Sequence, residues 1–373
     1  MPLPKLLFYT HGLVDGGGER LWSCLATAFK RRGYDVTFVV DFEASENRQN
    51  LDPSIPLVTL GRGHIQATRK LARVLSDVRP DVALSAIGGS NIKLLTAIAI
   101  AGTETPAIIS YHGYEEWKSG LLSLLTYIGL PVLSRASART IAVSDGLREA
   151  LVTGWRASPA KTVTVHNPVF FPEGARVPEA SELAQREDVV LAVGRFVSQK
   201  DYPTLIRAFA RLAEKRPNAR LVILGKGPLE GEMKRLTRKL GIASRVSMPG
   251  YVSEPWKVYE SARCFALSSR SEPFGNVIVE AMAYGLPVVA TACSGPLEIL
   301  QHGRFGKIVP AGDDLQLADA IDATLAEPGN PVTRRERADA FSFAVRVPSY
   351  EALVAEVLAE VVDAPASGTL VRR

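Results

Sequence analysis

One rhythm constrains this chain more than any other feature. Short apolar runs alternate with helix-length amphipathic segments almost from end to end. In the first half the runs are Leu6–Thr10, Val36–Val40, Val82–Ala86, Ala107–Tyr111, Thr140–Ser144 and Val163–His166. In the second half they are Val189–Gly194, Arg220–Gly225, Arg245–Met248, Cys264–Ser268, Pro287–Thr291 and Lys307–Pro310. Between them apolar residues recur at helical spacing, as in Leu21, Leu25 and Phe29, or Leu205, Phe209 and Leu212. Strand and helix in strict alternation predict an α/β chain whose parallel sheets carry helices on both faces. At 373 residues the chain exceeds one ordinary core, so two doubly wound domains are expected.

The rhythm breaks once, over residues 167–185, which hold three prolines and show no period. We read this as the joint. The expected organisation is an N-terminal domain over 1–170, a linker over 171–187 and a second domain over 188–345. Residues 346–373 are expected to form a helix, packing back toward the first domain, and a loose tail. In open sheets of this kind ligands bind beyond the carboxyl ends of the strands, so the site is expected in a cleft the domains share.

Composition removes several classes. Apolar residues at 46% and charged residues at 22% exclude extended disorder. Lys and Arg number 44 against 39 Asp and Glu, a net charge of +5, and no five like charges adjoin. That argues against a nucleic-acid partner and mildly favours an anionic ligand or membrane face. Cys24, Cys264 and Cys293 show no metal or redox spacing, which fits a reducing, cytoplasmic setting. Met1–Tyr9 lacks the pattern of a signal peptide, and the apolar stretches Leu94–Gly102 and Leu121–Leu133 fall short of a membrane span. The chain is expected not to cross a membrane, though it is free to lie against one.

Candidate chemistry clusters after strands. Gly16-Gly17-Gly18-Glu19-Arg20 follows the first run and opens the first helix, where backbone N–H groups can approach an anion. Leu21 stands where a dinucleotide G-x-G-x-x-G would need its third glycine, while Asp41 imitates the ribose-binding acid of that pattern. A plain tight turn is the competing reading. His112, after the run ending at Tyr111, points to the crevice, and His11 is a lesser candidate of the same kind. Gly194-Arg195 through Lys200 puts two cations on one loop, a diphosphate clamp or else a solvated basic loop. Gly225-Lys226-Gly227-Pro228 repeats the strand–glycine–helix transition. The densest stretch is Ser268–Ala292: Glu272, then Pro273-Phe274-Gly275-Asn276, then a helix over Val277–Tyr284 carrying Glu280 among apolar residues. A buried acid there needs a partner, either ribose hydroxyls or a structural ion pair.

Taken in order, these motifs resemble the Glu-x7-Glu signature and its companions in glycosyltransferase family 4, whose members are retaining enzymes of the GT-B fold. The likeness covers nearly the whole chain and includes Val143-Ser144 and Asn167-Pro168. The resemblance implies two Rossmann-like domains facing a cleft, with the acceptor on the N-terminal side and the nucleotide sugar on the C-terminal side. It implies that Arg195 and Lys200 neutralise the leaving diphosphate and that Glu280 grips the ribose. Glu272 and the backbone of Phe274, Gly275 and Asn276 would hold the donor sugar; Gly194 and Gly227 would shape the donor loops. Gly16 and Gly17 would line the phosphates, and His112 would contact the sugar near the bond that breaks. No Asp-x-Asp is present, so the implied transfer needs no metal and no cofactor beyond the nucleotide sugar itself, a UDP-sugar in preference to a GDP-sugar. One departure stands out, because Pro273 follows Glu272 where family members often carry Gly-Phe.

The acceptor half is less explicit. Tyr114–Arg135 mixes Trp117, Tyr127 and many leucines with Lys118 and Arg135. It reads either as a surface for membrane and lipid-linked sugar or as a buried helix interrupted near Gly129-Leu130-Pro131. From the family, the expected acceptor is a glycan or lipid-linked sugar in bacterial polysaccharide or lipopolysaccharide synthesis. The rival readings are a nucleotide-sugar epimerase or phosphorylase on the same fold, a nicotinamide oxidoreductase and a non-catalytic binding module.

Overall fold

The structure, a computed structural model, describes residues 3–13, 17–44, 47–172, 174–252 and 254–363. Contacts divide the chain into two units, Met1–Pro168 with Arg346–Arg373, and Val169–Val345. The first holds strands β1 (Lys5–Gly12), β2 (Asp35–Phe42), β3 (Leu57–Thr59), β4 (Val82–Ala86), β5 (Ala107–Tyr111), β6 (Arg139–Ala142) and β7 (Thr162–Thr164). They form one parallel sheet in the order β3-β2-β1-β4-β5-β6-β7. The second holds β8 (Val189–Val193), β9 (Arg220–Leu224), β10 (Val246–Gly250), β11 (Cys264–Leu267), β12 (Val288–Thr291) and β13 (Lys307–Val309), parallel in the order β10-β9-β8-β11-β12-β13. Both are doubly wound. Twelve of these strands coincide with the apolar runs. The thirteenth, β3, escaped because three residues after Pro56, on a sheet edge, leave no pattern to read.

Burial on both faces explains the near-continuous apolar strands. On one face of the first sheet Phe8 meets Trp22 and Phe29 of the helix Gly17–Arg31, with ring centroids 5.8 Å apart in each pair. On the other, Leu7, Tyr9 and Val39 pack with Leu71 and Leu75 of the helix His64–Val78, and with Leu94 and Ala97 of the helix Gly88–Ala101. Each fully buried Leu or Phe contributes about 1.5–3 kcal/mol.

The Pro-rich segment is tied down rather than loose. Val169 bridges to Ser342, Arg335 lies over the Phe171 ring, and a helix forms over Ala180–Gln185 with Leu183 fully buried. Tertiary contacts, not periodicity, order it. The final helix, Phe343–Asp363, begins in the second unit and from Arg346 belongs to the first. There Val347, Tyr350, Val354 and Val357 are buried, and Arg139 pairs with Glu356 at 2.6 Å and with Glu360. The last ten residues of the expected tail lie outside the described residues.

Tyr114–Arg135 is the interrupted helical segment of the second reading, with one face buried and the other exposed. Helices Leu121–Ile128 and Leu130–Ala136 meet at Gly129, as the Gly-Leu-Pro break predicts. Thr126, Tyr127, Leu130 and Ser134 face inward, but Leu121 (74% exposed), Leu125, Ile128 (61%) and Val132 (70%) stand outward at helical spacing. Among the described residues no helix is long and apolar enough to cross a membrane.

Candidate active site

In the second unit the chain winds from β8 through β9 to β10, then returns to place β11 on the opposite flank of β8. The carboxyl ends of β8 and β11 therefore flank a topological switch point, where open sheets bind ligands. The loops that leave these strands carry Arg195, Lys200 and Glu272. Lys200 Nζ and Glu272 Oε2 form an ion pair across the switch point, with side chains only 17% and 9% exposed. Ser269 Oγ donates to the same carboxylate oxygen at 3.2 Å. The two loops are also stitched together by their backbones: Ser268 Oγ donates to Lys200 O, Gln199 Nε2 to Ser271 O and Arg270 N to Gln199 O, each at 2.8 Å. The Arg195 side chain is exposed and makes no hydrogen bond or ion pair among the described residues. One cation is thus pre-positioned and the other left open.

The glycines beside them follow from close backbone approach. A Cβ on Gly225 (φ +140°) would lie 2.0 Å from the carbonyl oxygen of Gly194, and one on Gly227 would lie 2.5 Å from that of Phe196. Those contacts let the loops after β8 and β9 pack side by side, fixed by Phe196 N donating to Lys226 O at 2.8 Å.

Past Glu272, Gly275 takes φ +105° and turns the chain into the helix Asn276–Ala283, one residue earlier at each end than the sequence pattern indicates. The Phe274 ring is buried edge-on to Phe341 with centroids 5.5 Å apart, so its backbone and not its side chain is what the turn presents. A helix start supplies N–H groups that its own turns do not use. Glu280 is 7% exposed, and Tyr259 donates to its Oε2 at 2.9 Å. Tyr259 stacks on Tyr284 at 5.7 Å and on Trp256 at 6.4 Å. The sequence reading missed Tyr259; its signal was only an aromatic three residues after Trp256.

In the first unit Gly16 lies outside the described residues, and Gly17 is exposed at the first turn of its helix. A Cβ at Gly18 would touch the His112 ring at 3.7 Å, so the glycine segment and the histidine adjoin. Ser110 Oγ lies 2.8 Å from His112 Nε2, and Trp22 packs edge-on to the ring at 5.9 Å. Among the described residues Nδ1 is buried without a hydrogen-bond partner, so it is open to one from a ligand.

Glu116, also missed, holds this loop. His112 N donates to its Oε1 at 2.7 Å and Gly88 N to its Oε2 at 3.1 Å. Burial pushes the Glu116 carboxyl from 4.5 up to about 7, against those backbone bonds, and the His112 imidazole from 6.5 down to about 4. The signs oppose. Across the Glu116 window the folded state holds a proton that the unfolded chain lacks, so stability falls as pH rises. Across the His112 window the unfolded chain holds the extra proton, so stability rises with pH. Glu116→Gln removes only the first effect. Relative to wild type, the variant is expected to gain about 2 kcal/mol between pH 4.5 and 7. Urea denaturation of both proteins across that range checks it; a constant difference would contradict it.

Asp41 is not open to a ribose. Tyr9 donates to it at 2.7 Å, His11 Nδ1 lies 2.9 Å away, and Lys93 forms an ion pair with it. With its acid occupied, the nicotinamide reading loses the support of Asp41, and Leu21 already stood in place of its third glycine.

Comparisons with known proteins agree with this architecture. The family profile described as Glycosyltransferase Family 4 matches residues 15–170, and that described as Glycosyl transferases group 1 matches residues 175–341. The lipopolysaccharide core biosynthesis glycosyltransferase LpsD of Rhizobium meliloti is 33% identical over 323 residues, 84% of this chain and 86% of its own. An uncharacterised glycosyltransferase of Methanocaldococcus jannaschii is 26% identical over 250 residues, 63% of this chain but only 62% of its own length. Among solved structures, Anabaena HepE in complex with UDP and glucose superposes with a TM-score of 0.79 at 20% identity, covering 96% of this chain and all of that one.

Proposed function

The chain belongs to glycosyltransferase family 4 and has the GT-B fold, and from that premise we propose that it moves a hexose from a nucleoside-diphosphate sugar to a glycan or lipid-linked acceptor with retention of configuration. The observation that carries this reading is the switch point between β8 and β11, where the loop after β8 carries exposed Arg195 together with Lys200, the latter paired with Glu272. Glycosyl transfer passes through an oxocarbenium-like state while negative charge grows on the departing phosphate. Fixed cations stabilise that charge without reorganising. In this account Arg195 and Lys200 hold the diphosphate, and Glu280 accepts from the ribose hydroxyls. Glu272 and the turn at Phe274–Asn276 hold the sugar, as His112 does through Nδ1. The departing phosphate oxygen takes the acceptor's proton on the face it leaves, so no second carboxylate is required. A UDP-sugar is the favoured donor, since HepE was crystallised with UDP and glucose. A cell-surface polysaccharide or lipopolysaccharide step is the favoured setting, given the function named for LpsD.

The test is slow hydrolysis of UDP-glucose without acceptor, followed by proton NMR in EDTA. Release of the α-anomer first supports retention without a metal. The β-anomer first, or turnover only after magnesium or manganese is restored, contradicts it.

The outward row Leu121, Leu125, Ile128 and Val132, flanked by exposed Lys118 and Arg135, supports peripheral contact with an anionic bilayer. A triple Leu121→Ser, Ile128→Ser, Val132→Ser variant is expected to lose most co-sedimentation with phosphatidylglycerol vesicles, each side chain contributing about 1.5–3 kcal/mol when buried. Equal sedimentation of variant and wild type would contradict the contact.

A further inference from the structure

In the second unit the helix Tyr202–Lys215 starts directly behind the loop that carries Arg195 and Lys200. Asp201, at the left-handed φ of +45°, turns the chain into it. The Asp201 carboxylate accepts from Thr204 Oγ1 at 2.8 Å and pairs with Arg270 at 3.0 Å, which fixes the turn. Tyr202, the first residue of the helix, is packed into the core. It is 3% exposed, and its ring meets Phe196 edge-on with centroids 5.5 Å apart. Phenylalanine would pack the same ring without the cost of desolvating an oxygen. A hydroxyl in this place calls for a partner. Among the described residues it makes no hydrogen bond.

Three observations put that oxygen at the switch point between β8 and β11. A Cβ on Gly194 would lie 2.9 Å from Tyr202 Oη and 3.4 Å from Lys200 Cε, so the phenol tip, the lysine stem and the glycine converge at the carboxyl end of β8. Burial, and after it the nearby Glu272 carboxylate, raises the pKa of the phenol above the ordinary tyrosine range. The group therefore keeps its proton and has it to donate. Finally, the Tyr350 hydroxyl, also unpartnered, is sealed from solvent, whereas that of Tyr202 is not. An incoming ligand can reach it.

We propose that Tyr202 Oη is a further donor-binding group, giving its hydrogen bond to the phosphate that carries the sugar. The inference rests on the nucleotide-sugar reading. In that reading Lys200 holds the diphosphate and Glu272 the sugar, so their ion pair marks the junction of the two. A hydroxyl beside that pair meets the β-phosphate. The test is calorimetric titration of wild type and Tyr202→Phe with UDP and GDP, and with UMP and GMP, which lack that phosphate. Affinity for the diphosphate that binds is expected to fall about tenfold in the variant, the loss of one hydrogen bond to a charged group. Affinity for the matching monophosphate is expected to stay the same. Melting without ligand should be unchanged or higher, because the variant keeps the ring and loses no internal hydrogen bond. Equal diphosphate affinities in the two proteins, or a fall as large for the monophosphate, overturns the inference alone. A lower melting temperature overturns it too, since the hydroxyl would then serve the fold. If wild type binds none of the four nucleotides, the nucleotide-sugar reading falls and the inference with it.

Discussion

Lys200→Ala is expected to lower kcat/KM for sugar transfer at least about a hundredfold, the scale on which removal of one pre-positioned group that stabilises transition-state charge is felt. Lys200 is held across the switch point by Glu272 and by the stitched loops around it, so its charge is in place before the diphosphate begins to leave. The same change leaves Glu272 buried without its cation, which costs stability as well as rate. Arg195→Ala separates the two effects. Its side chain is exposed and unpartnered among the described residues, so melting should be unchanged while the rate still falls about a hundredfold. Initial rates and urea midpoints for both variants decide the matter; near-normal turnover in both would remove the clamp from the account.

Glu280→Ala is expected to weaken nucleoside-diphosphate binding by about 10–100-fold, the equivalent of a hydrogen bond to a charged group. Glu280 is the single acid on a helix whose other inward residues are Ile278, Val279, Ala281, Met282 and Ala283. Tyr259, stacked on Tyr284, fixes the carboxylate from one side. Glu280→Gln keeps an acceptor for Tyr259 but loses the charge, so its binding should fall between those of wild type and Glu280→Ala. If calorimetry gives all three the same affinity, Glu280 is structural and the ribose contact is wrong.

Much of this site was legible because its chemistry lies on local motifs. Gly194-Arg195, Lys200, Gly227 and the Glu272–Glu280 stretch each follow a strand, and parallel topology delivers such loops to one edge of a sheet. What escaped depends on pairing across sequence distance. Tyr259 meets Glu280 from another helix, Glu116 reaches back to Gly88, and Lys93 reaches Asp41 over 52 positions. No spacing rule encodes those partners, since each is set by which strands adjoin. The short edge strand Leu57–Thr59 and the ordering of the Pro-rich joint were hidden for the same reason.

The central claim is that the second unit holds a nucleoside diphosphate through Arg195, Lys200 and Glu280. Calorimetric titration of the protein with UDP, GDP and NAD, all in EDTA, tests it most directly. Saturable binding of one nucleoside diphosphate, UDP before GDP, is expected, weakened about 10–100-fold in Glu280→Ala. Binding of NAD with no response to either nucleoside diphosphate would contradict it.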